Sequence, residues 1–341
     1  MIKLIEALST LSGPSGMEDA VREYILKQIA GHCTYHIDAL GNLIAFKKGR
    51  HNPKNRLMIA AHMDEVGFII TYIEESGLLR FACVGGIDPR VIVGKRLKVG
   101  TQGRCGVIGT KPVHLVKSDE RDKMPDPDSL YIDIGAVDRA EALRHVALGD
   151  YAVFDSAFVR FGEDLIKGKA LDDRAGCAVM IEMIRSELEY DTYFAFNVQE
   201  EVGCRGAVAS AYSINPDCAI VLEATTAADI AGVAEEKQVC SLGEGPVVSF
   251  MDKATVYDRT LYRMAFELAN EQGIPCQPKR LVAGGNEAGV IHKSRAGVRT
   301  LALSMPCRYL HSPACVLKVS DIDATLRLAT AAAQRMCSQQ W

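Results

Sequence analysis

The sequence predicts an α/β protein: a mixed, mostly parallel β-sheet with helices on both faces, interrupted by an inserted all-β segment. Three observations carry this expectation. Residues 56–62 form a continuous apolar run, the pattern of a strand buried on both faces of a sheet. From about residue 66 to 163, short β-type runs are divided by glycines and helical periodicity is nearly absent. After Gly168, helical and strand-like stretches alternate, as they do when crossover helices join parallel strands. Two domains follow. One combines residues 1–65 with 164–341, and the other is the insert at 66–163.

Taken in order, residues 1–6 read as an amphipathic helix. A second helix is expected over 18–29, entered through the turn-rich Ser12-Gly13-Pro14-Ser15-Gly16. Strands at 35–38 and 43–47 precede the apolar strand. Inside the insert, strands are expected at 67–74, 78–84, 96–100, 106–110, 130–135 and 151–154. One helical stretch covers 138–145, and a polar, Pro-containing surface loop covers 117–128. The insert reads as a barrel or a sandwich. Beyond it come a helix at 173–188, a strand at 192–199, a helix at 205–212 and strands at 219–222 and 247–250. A helix at 258–272 ended by Gly273, a strand at 298–304 and a helix at 320–336 close the chain.

Bulk properties narrow the function. With 341 residues, 48% of them hydrophobic and 24% charged, the chain is ordinary globular material. A net charge of −4 offers no footprint for nucleic acid. The longest apolar stretch, 57–73, is broken by His62, Asp64 and Glu65, which argues against a membrane span. The N-terminus lacks a signal-peptide core. The 11 cysteines include no C-x-x-C pair. Reduced thiols in a cytoplasmic protein are therefore expected, not a cysteine-zinc site.

Chemistry concentrates at strand ends, where open α/β sheets build their sites. The run Phe194-Ala195-Phe196-Asn197-Val198 ends in Gln199-Glu200-Glu201. Two adjacent carboxylates at the mouth of a buried strand need a positive partner. In extended chain they point to different sides, so one can hold a metal while the other acts as a base. His62 and Asp64, two apart, put an imidazole and a supporting carboxylate together. A buried histidine with its carboxylate would look the same. Asp172-Asp173-Arg174 opens a helix, where helix capping alone explains one aspartate and explains a pair followed by Arg less well. Glu223 and His311 are each equally readable as an exposed strand-end acid and a loop histidine. His32, His36, His51, His145 and His292 lie in helical or polar settings and read as structural.

The combination resembles the TET-type, tetrahedral co-catalytic metallo-aminopeptidases, a family that includes proteins labelled glutamyl or deblocking aminopeptidase and some labelled endoglucanase. The resemblance rests on His62-x-Asp64, Leu171-Asp172-Asp173-Arg174-Ala175-Gly176, Gln199-Glu200-Glu201-Val202-Gly203-x-x-Gly206-Ala207 and Tyr309-x-His311-Ser312, in that order, with Gly13-Pro14-Ser15-Gly16-Met17-Glu18 near the start. It spans essentially the whole chain. It implies a zinc-exopeptidase-like sheet sandwiched by helices and an insert that is a PDZ-like dimerisation domain. It implies that Asp172 bridges two divalent ions (zinc, cobalt or manganese), that His62 and Glu223 complete one site and that Glu201 and His311 complete the other. Glu200 is then the general base, and Asp64 orients His62. The implied partners are peptides and further copies of the chain, in dimers and a twelve-subunit tetrahedron. His114 matches a position from which a neighbouring subunit reaches the active site, and Gly285 and Asn286 belong to a loop near the substrate. Two departures stand out. Many family members have Asp where this chain has Glu223, and the usual Gly-Gly-Thr-Asp-Ala reads Gly284-Gly285-Asn286-Glu287-Ala288.

The implied reaction removes the N-terminal residue from a peptide, with Glu200 taking the proton of a metal-activated water and passing it to the leaving amine. A two-metal amidohydrolase acting on N-acyl amino acids is the nearest rival. A glycosidase fits poorly, since it needs two carboxyls and no histidine-held metal. A non-catalytic assembly protein fits poorly too, because every ligand position and the base are filled.

Overall fold

The computed structural model describes residues 1–116 and 123–340. It is a mixed α/β structure with a separate antiparallel barrel. The main sheet collects β1 (Thr34–Ile37), β2 (Leu43–Lys47), β3 (Leu57–His62), β12 (Thr192–Asn197), β13 (Cys218–Thr226), β14 (Val247–Val248), β15 (Gln277–Pro278) and β16 (Arg299–Cys307). Their order across the sheet is β1-β2-β12-β3-β13-β16-β14-β15. The central strands β12, β3, β13 and β16 are parallel, β1 and β2 pair antiparallel to their neighbours, and β14 is antiparallel to β16 but parallel to β15.

Side-chain alternation divides the core between the faces of this sheet. Ile59, Ala61, Phe194, Phe196, Ile220 and Leu303 pack against α1 (Ile2–Thr10), α2 (Asp19–Ile29), α4 (Leu171–Arg185), α6 (Arg259–Gln272) and α8 (Val319–Ser338). Met58, Ala60, Ala195, Ala219, Val221 and Ala302 pack toward α5 (Arg205–Ile214) and α7 (Ala288–Ile291). Every residue of β3 is buried, as its uninterrupted apolar run predicts.

The barrel uses β4 (Gly67–Ile73), β5 (Leu79–Val84), β6 (Arg96–Val99), β7 (Arg104–Gly109), β8 (Tyr131–Asp133) and β9 (Tyr151–Phe154), closed in the order β4-β5-β8-β7-β6-β9. Closure removes its free edges. Phe68 fills the centre, edge-on to Phe81 and Phe154 at 5.2 and 5.4 Å. A small third sheet joins β10 (Val159–Phe161), β11 (Leu165–Gly168) and β17 (Cys315–Lys318).

Several elements differ from the sequence expectation. The helix expected at 138–145 is a single turn, α3 (Arg139–Ala142), capped by the Asp138 carboxylate accepting from the Glu141 N–H. The strand expected at 219–222 continues to Thr226, because β16 pairs with it residue by residue as far as Thr226 opposite Cys307. Its outer half carries no apolar signal, so sequence alone stops it early. The strand expected at 192–199 ends at Asn197, and the strand expected at 247–250 keeps only two residues. Of the loop expected at 117–128, residues 117–122 lie outside the described residues.

A buried polar knot ties the N-terminal segment to α4. Lys169 donates to both Glu65 carboxylate oxygens at 2.7 and 2.9 Å and to the Leu11 carbonyl at 2.6 Å. Arg174, with no exposed surface, donates to the carbonyls of Met63, Leu8 and Gly13. Burial pulls the Lys169 ammonium down to about 8, with Glu65 resisting. Removing Lys169 takes two short bonds from the buried Glu65 carboxylate and leaves it the longer 3.4 Å contact to Arg174 and the Gly13 N–H. Lys169→Met is therefore expected to lower unfolding stability by about 3–5 kcal/mol in urea titrations.

Candidate metal centre

His62 is the last residue of β3, and Asp64 follows beyond the strand. His62 Nδ1 lies 3.2 Å from the Asp64 carbonyl and 3.4 Å from its Oδ1. Asp64 also does something that H-x-D spacing does not announce. Its carboxylate accepts from the N–H of Glu200 at 2.9 Å, from the N–H of Glu201 at 3.1 Å and from the Ser15 hydroxyl at 2.7 Å. Burial raises the Asp64 pKa, but His62, Ser15 and the Glu200 N–H outweigh it and hold the carboxyl below its ordinary range.

The two aspartates at the start of α4 have separate jobs. Asp173 caps the helix, its Oδ1 accepting from the Gly176 N–H at 3.0 Å. Asp172 is turned away from the helix, with non-helical backbone angles, and the peptide between the two is cis. Its Oδ1 lies 3.4 Å from His62 Nε2 and its Oδ2 lies 3.4 Å from His311 Nε2.

Glu200 and Glu201 sit in a turn beyond β12, entered through left-handed backbone at Gln199 and left through Gly203 and Cys204. They diverge because the chain turns, whereas the sequence reading took them as extended. Glu201 Oε2 is 3.3 Å from His311 Nε2. Glu200 points elsewhere and accepts from the Cys204 thiol at 3.2 Å. Glu223 lies inside β13, not at its end, at the point where pairing with β3 has already stopped at Val221 opposite Ala60. Its Oε1 is 3.4 Å from His62 Nε2. His311 has left-handed backbone, and its Nδ1 lies 2.7 Å from the Gly86 carbonyl, in the loop after β5. A carbonyl only accepts, so Nδ1 carries the proton and Nε2 faces the acids.

Two groups result: His62, Asp172 and Glu223, then Asp172, Glu201 and His311, with the ligand atoms of each within 4.8 Å of one another. The separations of 3.3–3.4 Å are longer than strong hydrogen bonds. They match two ligands about 2.0–2.1 Å from a shared tetrahedral ion, which stand about 3.3–3.4 Å apart. Asp172 Oδ1 is buried without a hydrogen-bond partner. The donor set and its spacing therefore fit divalent metal.

Electrostatics point the same way. Burial and the neighbouring Asp172 push the carboxyls of Glu201 and Glu223 well above their ordinary range, against the pull of His311 and His62. Burial opposes the His62 imidazolium, yet Glu223, Asp172 and Asp64 raise it well above the usual value. The same contest lifts His311 to about 10, through Asp172, Glu201 and the Gly86 carbonyl. Proton or metal ion, positive charge is demanded at both histidines.

A family description, M42 glutamyl aminopeptidase, matches residues 41–328. The chain belongs to the M42 aminopeptidase family. It is a metallo-aminopeptidase by that membership. A lysyl aminopeptidase of Pyrococcus furiosus is 36% identical to this M42 peptidase over 93% of the chain and 90% of the relative. The solved aminopeptidase of Desulfurococcus kamchatkensis superposes with a TM-score of 0.93 at 35% identity, covering 98% of this chain and 94% of that one. The Pyrococcus horikoshii TET1 peptidase, described as able to assemble into a tetrahedron or a large octahedral shell, gives 0.85 at 35% identity with 99% of each chain covered.

The other sequence-stated positions of the M42 peptidase fall apart from the two groups. Gly285 and Asn286 line an adjoining cavity of about 80 Å³ that reaches Glu223. Asn286 donates to the Tyr257 hydroxyl at 3.0 Å and accepts from the Ala288 N–H. His114 is exposed on a short turn of the barrel, Val113–Leu115. Sequence reasoning missed Ser15 under Asp64, Gly86 behind His311, Cys204 against Glu200, and Glu18. The Glu18 carboxylate accepts from the Gln199 N–H at 3.1 Å. The Gly13-to-Glu18 motif was visible but carried no stated role.

Asp172→Ala is expected to abolish metal retention at both groups and Glu223→Ala at only the group with His62. Elemental analysis after dialysis checks both, and chelation is expected to lower the Tm of the parent protein.

Proposed function

We propose that the chain is a two-metal aminopeptidase in which Asp172 bridges the ions, His62 and Glu223 hold one, and Glu201 and His311 hold the other. The observation that carries this reading is the Asp172 carboxylate, with one oxygen 3.4 Å from each histidine. Zinc, cobalt and manganese all suit imidazole and carboxylate ligands. When bound, such a pair supplies Lewis-acid activation of water and of the scissile carbonyl.

The chain's own residues do the rest. Glu200 is the general base: it takes a proton from the attacking water and returns it to the leaving amine. Burial raises its pKa, which suits a proton shuttle. The Cys204 thiol holds one of its oxygens, leaving the other to face the water. Asp64 is a positioning residue for both His62 and the 200–201 turn. Two cavities flank the groups. The cavity of about 80 Å³ over Glu223 takes the N-terminal residue. A larger one of about 450 Å³, lined by Val91, Ile230, Tyr309 and Leu310, receives the rest of the peptide.

We further propose that the barrel is the self-association module, the PDZ-like domain of the resemblance, and that its dimers build a tetrahedral dodecamer. The shells described for the Pyrococcus horikoshii relative support this. So do Val113 and Leu115, apolar and exposed on either side of His114, which would carry that histidine toward the site of a neighbouring copy. The cysteines, all free thiols, suit a reducing cytoplasmic setting.

Glu200→Gln is expected to keep its metal content and lose about 10²–10⁴-fold in kcat on aminoacyl anilides. Turnover near that of the parent protein would overturn the base assignment. N-acetylation of the substrate is expected to block cleavage, which separates an aminopeptidase from a deacylase.

A further inference from the structure

Lys279 follows directly on β15, at the far edge of the main sheet, where its N–H donates to the Val248 carbonyl at 3.0 Å. Its side chain turns inward and is only 4% exposed. It lines the cavity of about 80 Å³ together with Glu223, Thr225, Asn286 and Ser304. Ser304 is there because β13 and β16 run parallel with Glu223 opposite Ser304.

A buried ammonium is costly unless it is paired. Every other deeply buried cation of the core is satisfied: Lys169 and Arg174 each make several short contacts. Among the described residues, no carboxylate lies within ion-pairing distance of Lys279 Nζ and no acceptor lies within hydrogen-bonding distance. The two acids that it feels are engaged elsewhere. Asp252 accepts from the N–H groups of Ala254 and Thr255 and from the Tyr257 hydroxyl. Glu223 faces His62. The lysine is thus an unused positive charge on the wall of a cavity that opens onto the proposed reaction centre. The cavity has room for roughly five waters, about the bulk of a short side chain.

Taking the chain as an aminopeptidase, as above, we propose that this cavity receives the side chain of the substrate's N-terminal residue and that Lys279 selects a carboxylate there. The preferred substrates are then peptides beginning with glutamate or aspartate. The Thr225 and Ser304 hydroxyls and the Asn286 amide line the path to the ammonium. A basic N-terminal residue would meet like charge. Relatives differ on this point, since the family is described by a glutamyl activity and the Pyrococcus furiosus protein by a lysyl one. The sign of the charge at position 279 decides for this chain.

The test compares kcat/KM of the metal-loaded protein on glutamyl, aspartyl, glutaminyl, leucyl and lysyl p-nitroanilides. Glutamyl or aspartyl is expected to exceed glutaminyl by about 10- to 100-fold, the worth of one hydrogen bond to a charged group. The two acidic substrates distinguish which length fits. In Lys279→Met this ratio is expected to collapse toward one, and in Lys279→Glu the lysyl substrate should overtake the glutamyl one. Calorimetry on the parent protein supplies a readout independent of turnover: L-glutamate or L-aspartate should bind at least 10-fold more tightly than L-glutamine. A ratio near one in the parent protein, or an acidic preference that survives in Lys279→Met, overturns the assignment of Lys279. Cleavage of every anilide without acidic preference leaves the aminopeptidase reading standing and removes only the pocket. If no anilide is cleaved, the aminopeptidase reading fails and the calorimetry still decides whether Lys279 holds a carboxylate.

Discussion

The structure depends on a surplus of buried acid. Asp64, Asp172, Asp173, Glu200, Glu201, Glu223 and Glu287 are gathered in and around one place, and the cations within ion-pairing distance of them among the described residues are two imidazoles, His62 and His311. Carboxylates removed from water repel one another and seek either protons or cations. Some of these acids meet the demand through the backbone: Asp64 with two N–H groups, Asp173 with one. Others retain it. Burial pushes Glu287 up to about 8, one of its oxygens taken by Asn197 and the other without a partner. Among the described residues Asp172 is the acid within 3.4 Å of both histidines, which puts it at the centre.

Around that centre the fold acts as a positioning frame. Four parallel strands point their C-terminal ends the same way, so β3 delivers His62, β12 leads to Glu200 and Glu201, and β13 carries Glu223. The N-terminal Gly13-to-Glu18 stretch lies beneath them. It gives a carbonyl to Arg174, a hydroxyl to Asp64 and a carboxylate to the Gln199 N–H. These links explain why a segment far in sequence from His62, Asp172 and His311 belongs to the same recognisable pattern. It holds the turn that sends the Glu200 and Glu201 carboxylates in different directions.

Much of this was legible. The unbroken apolar run of β3, the glycine-divided insert and the periodic helices all announced themselves, because burial dictates residue type at regular spacing. The histidine and acid at strand ends were legible too, since charge at a buried mouth is conspicuous. What escaped has physical reasons. Asp172 and Asp173 carry identical side chains, and only backbone geometry separates the one that faces both histidines from the one that caps the helix. Gly86 acts through a carbonyl, which has no sequence signature. Lys279 follows a strand of two residues, too short for any period to show. Glu223 looked like a strand end because Ala224, Thr225 and Thr226 are held by pairing with β16, not by apolar character.

The contact between His311 Nδ1 and the Gly86 carbonyl joins residues 225 positions apart and belongs to two different bodies of the fold. That carbonyl fixes the proton on Nδ1 and so keeps Nε2 aimed at Asp172 and Glu201. The barrel is therefore not a detachable accessory. Excising it to make a minimal catalytic unit would leave His311 free to swivel, with its tautomer unset. The coupling is steep, because moving the barrel's Gly86 carbonyl back by about one ångström carries a 2.7 Å contact beyond hydrogen-bonding distance.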